Sequence, residues 1–193
     1  MVATIECKRN KDGFKGLMDR FKRLKKKAAY VGIPQANTAR GDGITNAELL
    51  YIHTHGVRRN SMIREMSSEM KKGIKYSEAY SLYIMSHGSP LWHSPPRPVI
   101  EPAIKHHKHA LSSLWKDVLI AASKGNAGEV EKALGRLGMA GQNYARGWFT
   151  NPNNHWPPNS PKTVKLKGSS NPLIDTGTLR KSITYVVKED GND

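Results

Sequence analysis

Apolar residues recur every three or four positions in three long segments, which predicts three amphipathic helices. The first is predicted over residues 13–28, where the positions between the apolar residues are mostly lysine and arginine. The second and third are predicted over about 101–123 and 126–147. Trp115 falls on the apolar stripe of the second segment, so we expect this tryptophan to pack within the protein.

The third predicted helix has glycine at every third position, at Gly135, Gly138 and Gly141. Glycine lowers helix stability, but the missing side chain permits close approach of another backbone. We therefore expect a tight contact on this face, either with another helix or with another subunit. Asn126 and Glu129 have nearly the spacing of a capping box at the start of this helix.

Two runs of β-prone residues predict strands on either side of the helical segments. The run "AYVGIP" is closed by Pro34, and "SITYVV" over 182–187 is rich in β-branched residues and tyrosine. The stretch "TNAELLYIHTHG" predicts a short helix with an N-cap at Thr45 or Asn46 and a left-handed C-cap at Gly56.

Proline stiffens two further segments of the chain. Pro95, Pro96 and Pro98 remove backbone donors and fix φ, so we expect residues 88–100 to be extended. Residues 150–172 are rich in Pro, Asn and Ser and are expected to form a long loop. A loop of that length is either functional or disordered.

The composition favours a soluble basic protein with an anionic partner. The chain carries 31 Lys and Arg against 16 Asp and Glu, and this charge of +15 suits nucleic acid, an acidic protein surface or a membrane surface. Its 193 residues fit a single domain over 1–193. The single cysteine, Cys7, excludes an internal disulfide and fits a reducing compartment. No apolar run approaches the roughly 18 residues that cross a bilayer, and no signal peptide is expected.

The stretch "LIDTGT" at 173–178 has the letters of the catalytic loop of aspartic proteases. Those enzymes need two carboxylates that share a proton at close range. A single Asp-Thr-Gly suffices where a symmetric dimer supplies the second, as in retroviral enzymes, and there most of the domain follows the triplet. Here 16 residues follow Gly177 and two long helices precede it, so we do not expect this protease. Asp175 and Thr176 are instead predicted to cap the turn that leads into the last strand.

No other catalytic pattern is found in the sequence, so we expect no enzyme, no cofactor and no metal site. Among the clustered histidines, His106 and His109 alone have a helical ligand spacing, and no Cys or carboxylate completes a set nearby. Gly-x-Ser-x-Gly and phosphate-binding loops are absent from the sequence. A non-specific phosphate contact remains open. The residues expected to make it are Lys22, Arg23, Lys25, Lys26 and Lys27.

Three stretches of the sequence resemble one family of phage proteins. They are "VGIP" with "NAELLYIHTHG", then "HGSPLWHSPPRPVIEPAI", and finally "PPNSPKTVKLKGSSNPLIDTGTLRKSITYVV". Together they are similar to the virion morphogenesis, or tail-completion, proteins of the tailed-bacteriophage neck. The third stretch is the most specific, because the family commonly ends with Pro-Asn-Ser-Pro-x-Thr, a Lys-Gly pair and Pro-Leu-Ile-Asp-Thr-Gly-x-Leu-Arg-x-Ser-Ile. Residues 57–87 look like an insertion relative to the family and are predicted to form one or two helices.

The resemblance implies an α+β fold with a small antiparallel sheet packed against one or two long helices, together with extended Pro-rich arms. It also implies a homo-oligomeric ring, most commonly of six subunits, between the head connector and the tail tube, with DNA passing through the lumen. The chain would be a non-enzymatic virion protein that is made in the bacterial host cytoplasm, contacts connector and tail proteins, and contacts no membrane. Alternatives are a tail terminator, a connector component, or a DNA-binding packaging-associated protein that uses the basic first helix.

The residues expected to matter for assembly lie in the proline-rich segment and in the C-terminal turn. Arg97 and Arg180 are each suited to bind a carboxylate bidentately across an interface, or to tie down a local loop. The full set is Pro95, Arg97, Pro98, Asp175, Thr176, Gly177, Leu179 and Arg180.

Overall fold

A computed structural model describes residues 11–34, 43–88 and 90–189 of the chain. Within those residues the protein is α+β, as predicted: helices dominate, and four short strands form two antiparallel pairs. The chain divides into two compact units. The first contains the described parts of Met1–Gly32, Ala103–Tyr144 and Thr184–Asp193, and the second those of Ile33–Pro102 and Ala145–Ile183.

The first unit packs helices against a two-stranded sheet. β1 (Lys27–Gly32) and β4 (Thr184–Glu189) are antiparallel, with Lys27 opposite Glu189 and Gly32 opposite Thr184. The helices are α1 (Lys11–Lys25), α6 (Lys108–Lys124) and most of α7 (Ala127–Trp148). Asn126 caps α7 through its Oδ1, which accepts a hydrogen bond from Glu129 N at 3.1 Å. The buried core consists of Leu24, Val118, Ala121, Ala122, Val130, Ala133 and Leu134. Trp115 of α6 is 38% exposed, so the expectation that it packs within the protein is wrong.

Two helix predictions differ from the structure. α1 ends at Lys25 and Lys27 already belongs to β1, so the predicted end at residue 28 is wrong. Pairing with β4 outweighs the local helix propensity of the lysine and alanine residues there. The helix predicted over 101–123 is two helices, α5 (Ile100–His106) and α6, interrupted at His107. The His107 ring stacks on Tyr144 of α7, with 3.9 Å between the ring centroids.

The glycine row of α7 lies against the sheet. A Cβ on Gly138 would lie 2.3 Å from Cδ2 of Tyr185, and a Cβ on Gly141 would lie 2.8 Å from Cγ2 of Val31. Both distances are shorter than carbon atoms tolerate, so these two positions require glycine. The predicted close approach is present. Its tightest contacts are with the chain's own sheet, and Ile104 of α5 also lies 3.4 Å from the Cβ position of Gly141. Gly135 is less crowded, since the nearest atom to its Cβ position is the Tyr185 hydroxyl at 3.8 Å.

The second unit is built from short helices and a second two-stranded sheet. β2 (Val57–Arg58) pairs with β3 (Trp92–Ser94), with Val57 opposite Ser94 and Arg58 opposite Trp92, so His93 is an extra residue that forms a bulge. The helices are α2 (Asn46–His55), α3 (Asn60–Lys71), α4 (Tyr76–His87), α8 (Pro161–Lys167) and α9 (Thr178–Ser182).

Residues 57–87, which the sequence predicts as a helical insertion, form β2 and the two helices α3 and α4. The buried residues of this helix pair are Met62, Met66, Ala79 and Tyr83. The Arg58 guanidinium lies 5.1 Å from the Tyr80 ring centroid and 5.9 Å from that of Trp92. These cation–π contacts connect α4 to the β2–β3 sheet. The predicted helices are confirmed, whereas their origin as an insertion stays a prediction.

The start of α2 agrees with the prediction from the sequence, and its C-terminal end does not. Thr45 is the N-cap and forms the complete capping box: its Oγ1 accepts from Glu48 N at 3.2 Å, and Glu48 Oε2 accepts from Thr45 N at 2.8 Å. The bond from Thr45 N, and a second one that Thr45 Oγ1 donates to the same carboxylate oxygen at 2.8 Å, lower the pKa of the Glu48 carboxyl group. Gly56 follows with a φ of +73° but a ψ of 171°, so the predicted left-handed C-cap is wrong.

The segment 150–172, which the sequence predicts as a long loop, contains two short helical elements. A 3₁₀ turn spans Pro152–Asn154, and α8 follows it. The Ser160 hydroxyl accepts a hydrogen bond from Thr163 N at 3.2 Å, and Pro161 occupies the first turn of α8. The prolines of this segment led to the prediction of a loop, but Pro161 instead lies at the start of a helix.

We predict that Gly138→Ala destabilises the protein by about 1–3 kcal/mol, because its Cβ would overlap Tyr185. Gly135→Ala is the matched control in the same helix and should be neutral or stabilising by about 0.5–1 kcal/mol. Urea unfolding followed by circular dichroism measures both changes. Equal midpoints for the two variants would contradict the tight contact.

Candidate functional site

Parts of the three sequence stretches that carry the family resemblance meet in the second unit, around a cleft of about 750 Å³. We call it the motif cleft. One wall comes from the end of α2, one from β3 and the proline-rich residues after it, and one from α8, α9 and the turn between them. Its charged and polar lining residues are His53, Arg59, His93, Ser94, Arg97, Asn159, Ser160, Thr163, Lys167, Asp175, Thr176 and Thr178.

Arg97 joins two walls of the cleft from inside the protein. The residue is 6% exposed. Its Nε and Nη2 donate to the carbonyl oxygen of Pro157 at 3.0 and 2.9 Å, and Nη2 also donates to that of Pro158 at 3.1 Å. Its backbone N–H donates to His53 O at 2.7 Å. Of the two roles that the sequence leaves open for Arg97, the structure therefore shows the local one, in which it ties down a loop.

Burial lowers the pKa of the Arg97 guanidinium, because the charged form loses hydration. The carbonyl dipoles of Pro157 and Pro158 replace that water with fixed acceptors. Buried cations are tolerated where such partners are in place.

Trp156 also holds the proline-rich segment that contains Pro98. Its indole Nε1 donates to Pro98 O at 3.0 Å, and its ring meets Phe149 edge to face with 5.8 Å between centroids. Val99, next in the chain, is fully buried. Trp156 is thus part of the fold, because its hydrogen bond and its ring contact both lie within the second unit.

Gly56 permits the same segment to pass close to the end of α2. A Cβ at this position would lie 2.8 Å from Pro96 N and 2.9 Å from Ser94 O. The positive φ of Gly56 adds a second reason for glycine here. Pro95, Pro96 and Pro98 themselves follow β3 outside any helix or strand, in the stretch that the sequence predicts to be extended.

The C-terminal turn forms the third wall. Gly177 is left-handed, with φ +76° and ψ 5°, and occupies the N-cap position of α9. The Thr176 hydroxyl accepts a hydrogen bond from Thr178 N at 3.4 Å. Asp175 makes no such bond, so the prediction that it is a cap is wrong, whereas the bond from Thr176 agrees with the predicted role of that residue. Leu179 is buried, and it anchors the turn.

Asp175 is exposed and lines the motif cleft. Among the described residues that line this cleft, it is the only carboxylate. A protease dyad requires a second carboxylate close enough to share a proton. Within this cleft, the described residues supply no second carboxylate that could pair with Asp175.

Arg146, and not Arg180, makes the local contacts of the C-terminal turn, so the interface role expected for Arg180 stays a prediction. Arg180 is half-buried on α9 and has no hydrogen-bond partner within the described residues. Arg146 instead holds the end of α9: its Nε donates to Ile183 O and its Nη2 to Lys181 O, both at 2.9 Å. Sequence reasoning missed Arg146, because one arginine on a helix carries no signal about which distant carbonyls it will meet.

The cleft carries more positive than negative groups. Arg59 is exposed, and its Nε donates to Trp92 O at 3.3 Å. Lys167 is half-buried, and its Nζ donates to Asn171 O at 3.0 Å. With Arg97 in the wall, three cations line the cleft together with the carboxylate of Asp175. Such a lining is suited to bind an anionic group.

The predicted polyanion contact lies in the first unit. Lys22, Arg23, Lys25 and Lys26 are exposed on α1 and the turn after it. Lys27 differs from them, because it is half-buried in β1, where it forms an ion pair with Glu131, whereas Lys22 pairs with Asp19 at 3.7 Å on the exposed surface. The basic surface therefore consists of four of the five predicted residues, and we call these four the basic row.

Residues 11–34, 43–88 and 90–189 contain no group of three metal-ligating side chains. None of the helices in this part of the chain is both long and apolar enough to cross a bilayer. Cys7 lies outside the described residues.

We predict that Arg97→Lys destabilises the protein by about 2–4 kcal/mol, because a lysine ammonium cannot reproduce the forked contacts to two carbonyls. Arg180→Lys is the matched control and should change the free energy of unfolding by less than about 0.5 kcal/mol. Urea unfolding of both variants tests the difference. Similar destabilisation of the two variants would show that Arg97 has no special role.

Comparison of the chain with protein-family models, with curated proteins and with solved structures gave no match.

Proposed function

We propose that this protein is a structural component of the tailed-phage virion, located in the neck, where it forms a homo-oligomeric ring that completes the tail and joins it to the connector. One observation carries the proposal. Three stretches of the sequence resemble the phage family, and they are far apart along the chain. Residues from all three lie in one unit and line one cleft. Residues that share a surface in this way are expected to share a task.

The construction of the cleft supports an assembly role over catalysis. Its family-like residues are used for backbone positioning: Arg97 binds carbonyls, Gly177 supplies a left-handed turn and Leu179 is buried. What remains exposed is a set of cations, hydroxyls and one carboxylate. A surface of fixed shape with these groups is suited to dock another polypeptide.

The extended proline segment also suits a ring subunit. Its backbone is held at Arg97 N by His53 O and at Pro98 O by Trp156. Segments that are rigid before binding lose less entropy when they dock against a neighbour. In a closed ring every subunit buries the same surfaces, so one rigid segment would make the same contact at each subunit interface.

The second candidate is DNA binding, either in the lumen of the ring or as a packaging-associated protein. The exposed basic row on α1 favours it, because four neighbouring cations meet phosphates without requiring sequence-specific contacts. A tail terminator or a connector component would use the same ring geometry, and location in the particle distinguishes these from tail completion.

We expect the full-length protein to form closed rings, most commonly of six subunits, and to occupy the neck of assembled particles. Mass photometry and negative-stain imaging of the purified chain test the first point. Co-assembly with phage connector and tail proteins, followed by imaging, tests the second. A chain that stays monomeric and is found outside the neck would refute the proposal. A pepstatin-sensitive cleavage that disappears in Asp175→Asn would refute its non-enzymatic part.

Exchange of the four basic-row residues for glutamine should weaken retention on duplex DNA. The slope of the logarithm of the binding constant against the logarithm of the salt concentration should become shallower by about 0.9 for each phosphate that is no longer neutralised. The control exchanges Arg64, Lys71, Lys72 and Lys75, which are exposed in the second unit and remove the same charge. If both variants show equally weakened affinity, net charge and not the basic row accounts for DNA binding.

A further inference from the structure

We propose that the motif cleft binds an extended acidic segment of a partner polypeptide, with Arg59 and Lys167 contacting its carboxylates and β3 pairing with its backbone. The proposal rests on the proposed function, since it names the class of partner that the same cleft would receive. Charge, strand geometry and rigidity support it separately.

The two cations at the cleft are available for an external anion. Neither Arg59 nor Lys167 forms an ion pair with a carboxylate in the described part of the chain. Each is instead oriented by one backbone carbonyl, through the bonds to Trp92 O and Asn171 O. An arginine held at Nε presents its two terminal nitrogens toward a ligand, and that fork matches a carboxylate.

The strand in the wall indicates a polypeptide as the ligand. In a two-stranded sheet each strand has one edge that its partner does not pair. Trp92, His93 and Ser94 of β3 all line the cleft. Peptide recognition by strand addition uses such an edge for main-chain hydrogen bonds, while nearby side chains select the sequence. A phosphate would use single N–H donors of this edge, whereas an extended polypeptide uses its N–H and C=O groups together.

The walls are fixed before any ligand arrives. Trp92 is held under the Arg58 guanidinium, and Asn159 Nδ2 donates to Ser170 O at 3.2 Å and to Asn171 O at 3.3 Å. The two bonds from Asn159 close the loop that follows Lys167. A preformed site lowers the entropic cost of binding, so an extended segment with few contacts still gains affinity.

The test uses the full-length protein and a fluorescent peptide of alternating glutamate and threonine, with a glutamine-threonine peptide of the same length as the ligand control. Fluorescence anisotropy near physiological salt gives the affinity. Arg59→Gln with Lys167→Gln should weaken binding by about tenfold or more, as expected when charge-assisted hydrogen bonds are removed. Arg64→Gln with Lys71→Gln removes the same charge from exposed positions on α3 and should weaken it by less than about twofold.

A second measurement does not depend on the folding of any variant. Amide chemical shifts of the wild-type protein, recorded with increasing peptide, should change at Trp92–Ser94 and at Thr176–Leu179. Shifts confined to the basic row, equal weakening in the two double variants, or equal binding of the neutral peptide would each overturn the proposal. Preferential binding of short duplex DNA at the same residues would also overturn it, in favour of nucleic acid.

The outcomes separate this proposal from the proposed function. A chain that forms neck rings but does not bind the acidic peptide overturns only the cleft proposal. A chain that binds the peptide in the cleft but stays monomeric and absent from the neck overturns only the proposed function.

Discussion

The contact between the Arg97 guanidinium and the carbonyl groups of Pro157 and Pro158 organises the second unit. Neither proline has an N–H, so this stretch cannot join a regular strand ladder, and its carbonyls need donors from elsewhere. One buried guanidinium supplies three hydrogen bonds to them. The same residue donates its backbone N–H to α2. Three parts of the chain that are distant in sequence are thereby held at one point, and the motif cleft is the space between them.

The two units achieve order by different means. In the first, long helices bury leucine, valine and alanine against each other, and the glycine row of α7 permits the β1–β4 sheet to approach closely. In the second, side-chain donors hold irregular backbone: Arg97, Trp156 and Arg146 each bind carbonyls at the ends of loops or short helices. Polar contacts of this kind are directional and fix the shape of a surface. A unit built in this way is suited to present a binding cleft.

Asp175 shows how little a short sequence match determines by itself. Catalysis by an aspartic dyad depends on a second carboxylate within proton-sharing distance. In this chain the same three letters place a left-handed glycine before α9 and leave the carboxylate exposed beside cations. Asp175 therefore contributes a negative charge to the lining of the motif cleft.

The sequence by itself determined the helices with a clear apolar period, the β-prone runs of the strand pair, an N-cap at Thr45 or Asn46, and the glycine row of α7, because each is a local pattern of side-chain size and polarity. It also indicated Arg97 and the C-terminal turn. Only the tertiary structure decided the rest: that Lys27 leaves the helix for a strand, that His107 interrupts a helix, that α8 forms within the expected loop, and that Arg146 matters. These outcomes depend on partners far along the chain, and no local pattern encodes which carbonyl or strand a side chain will meet after folding.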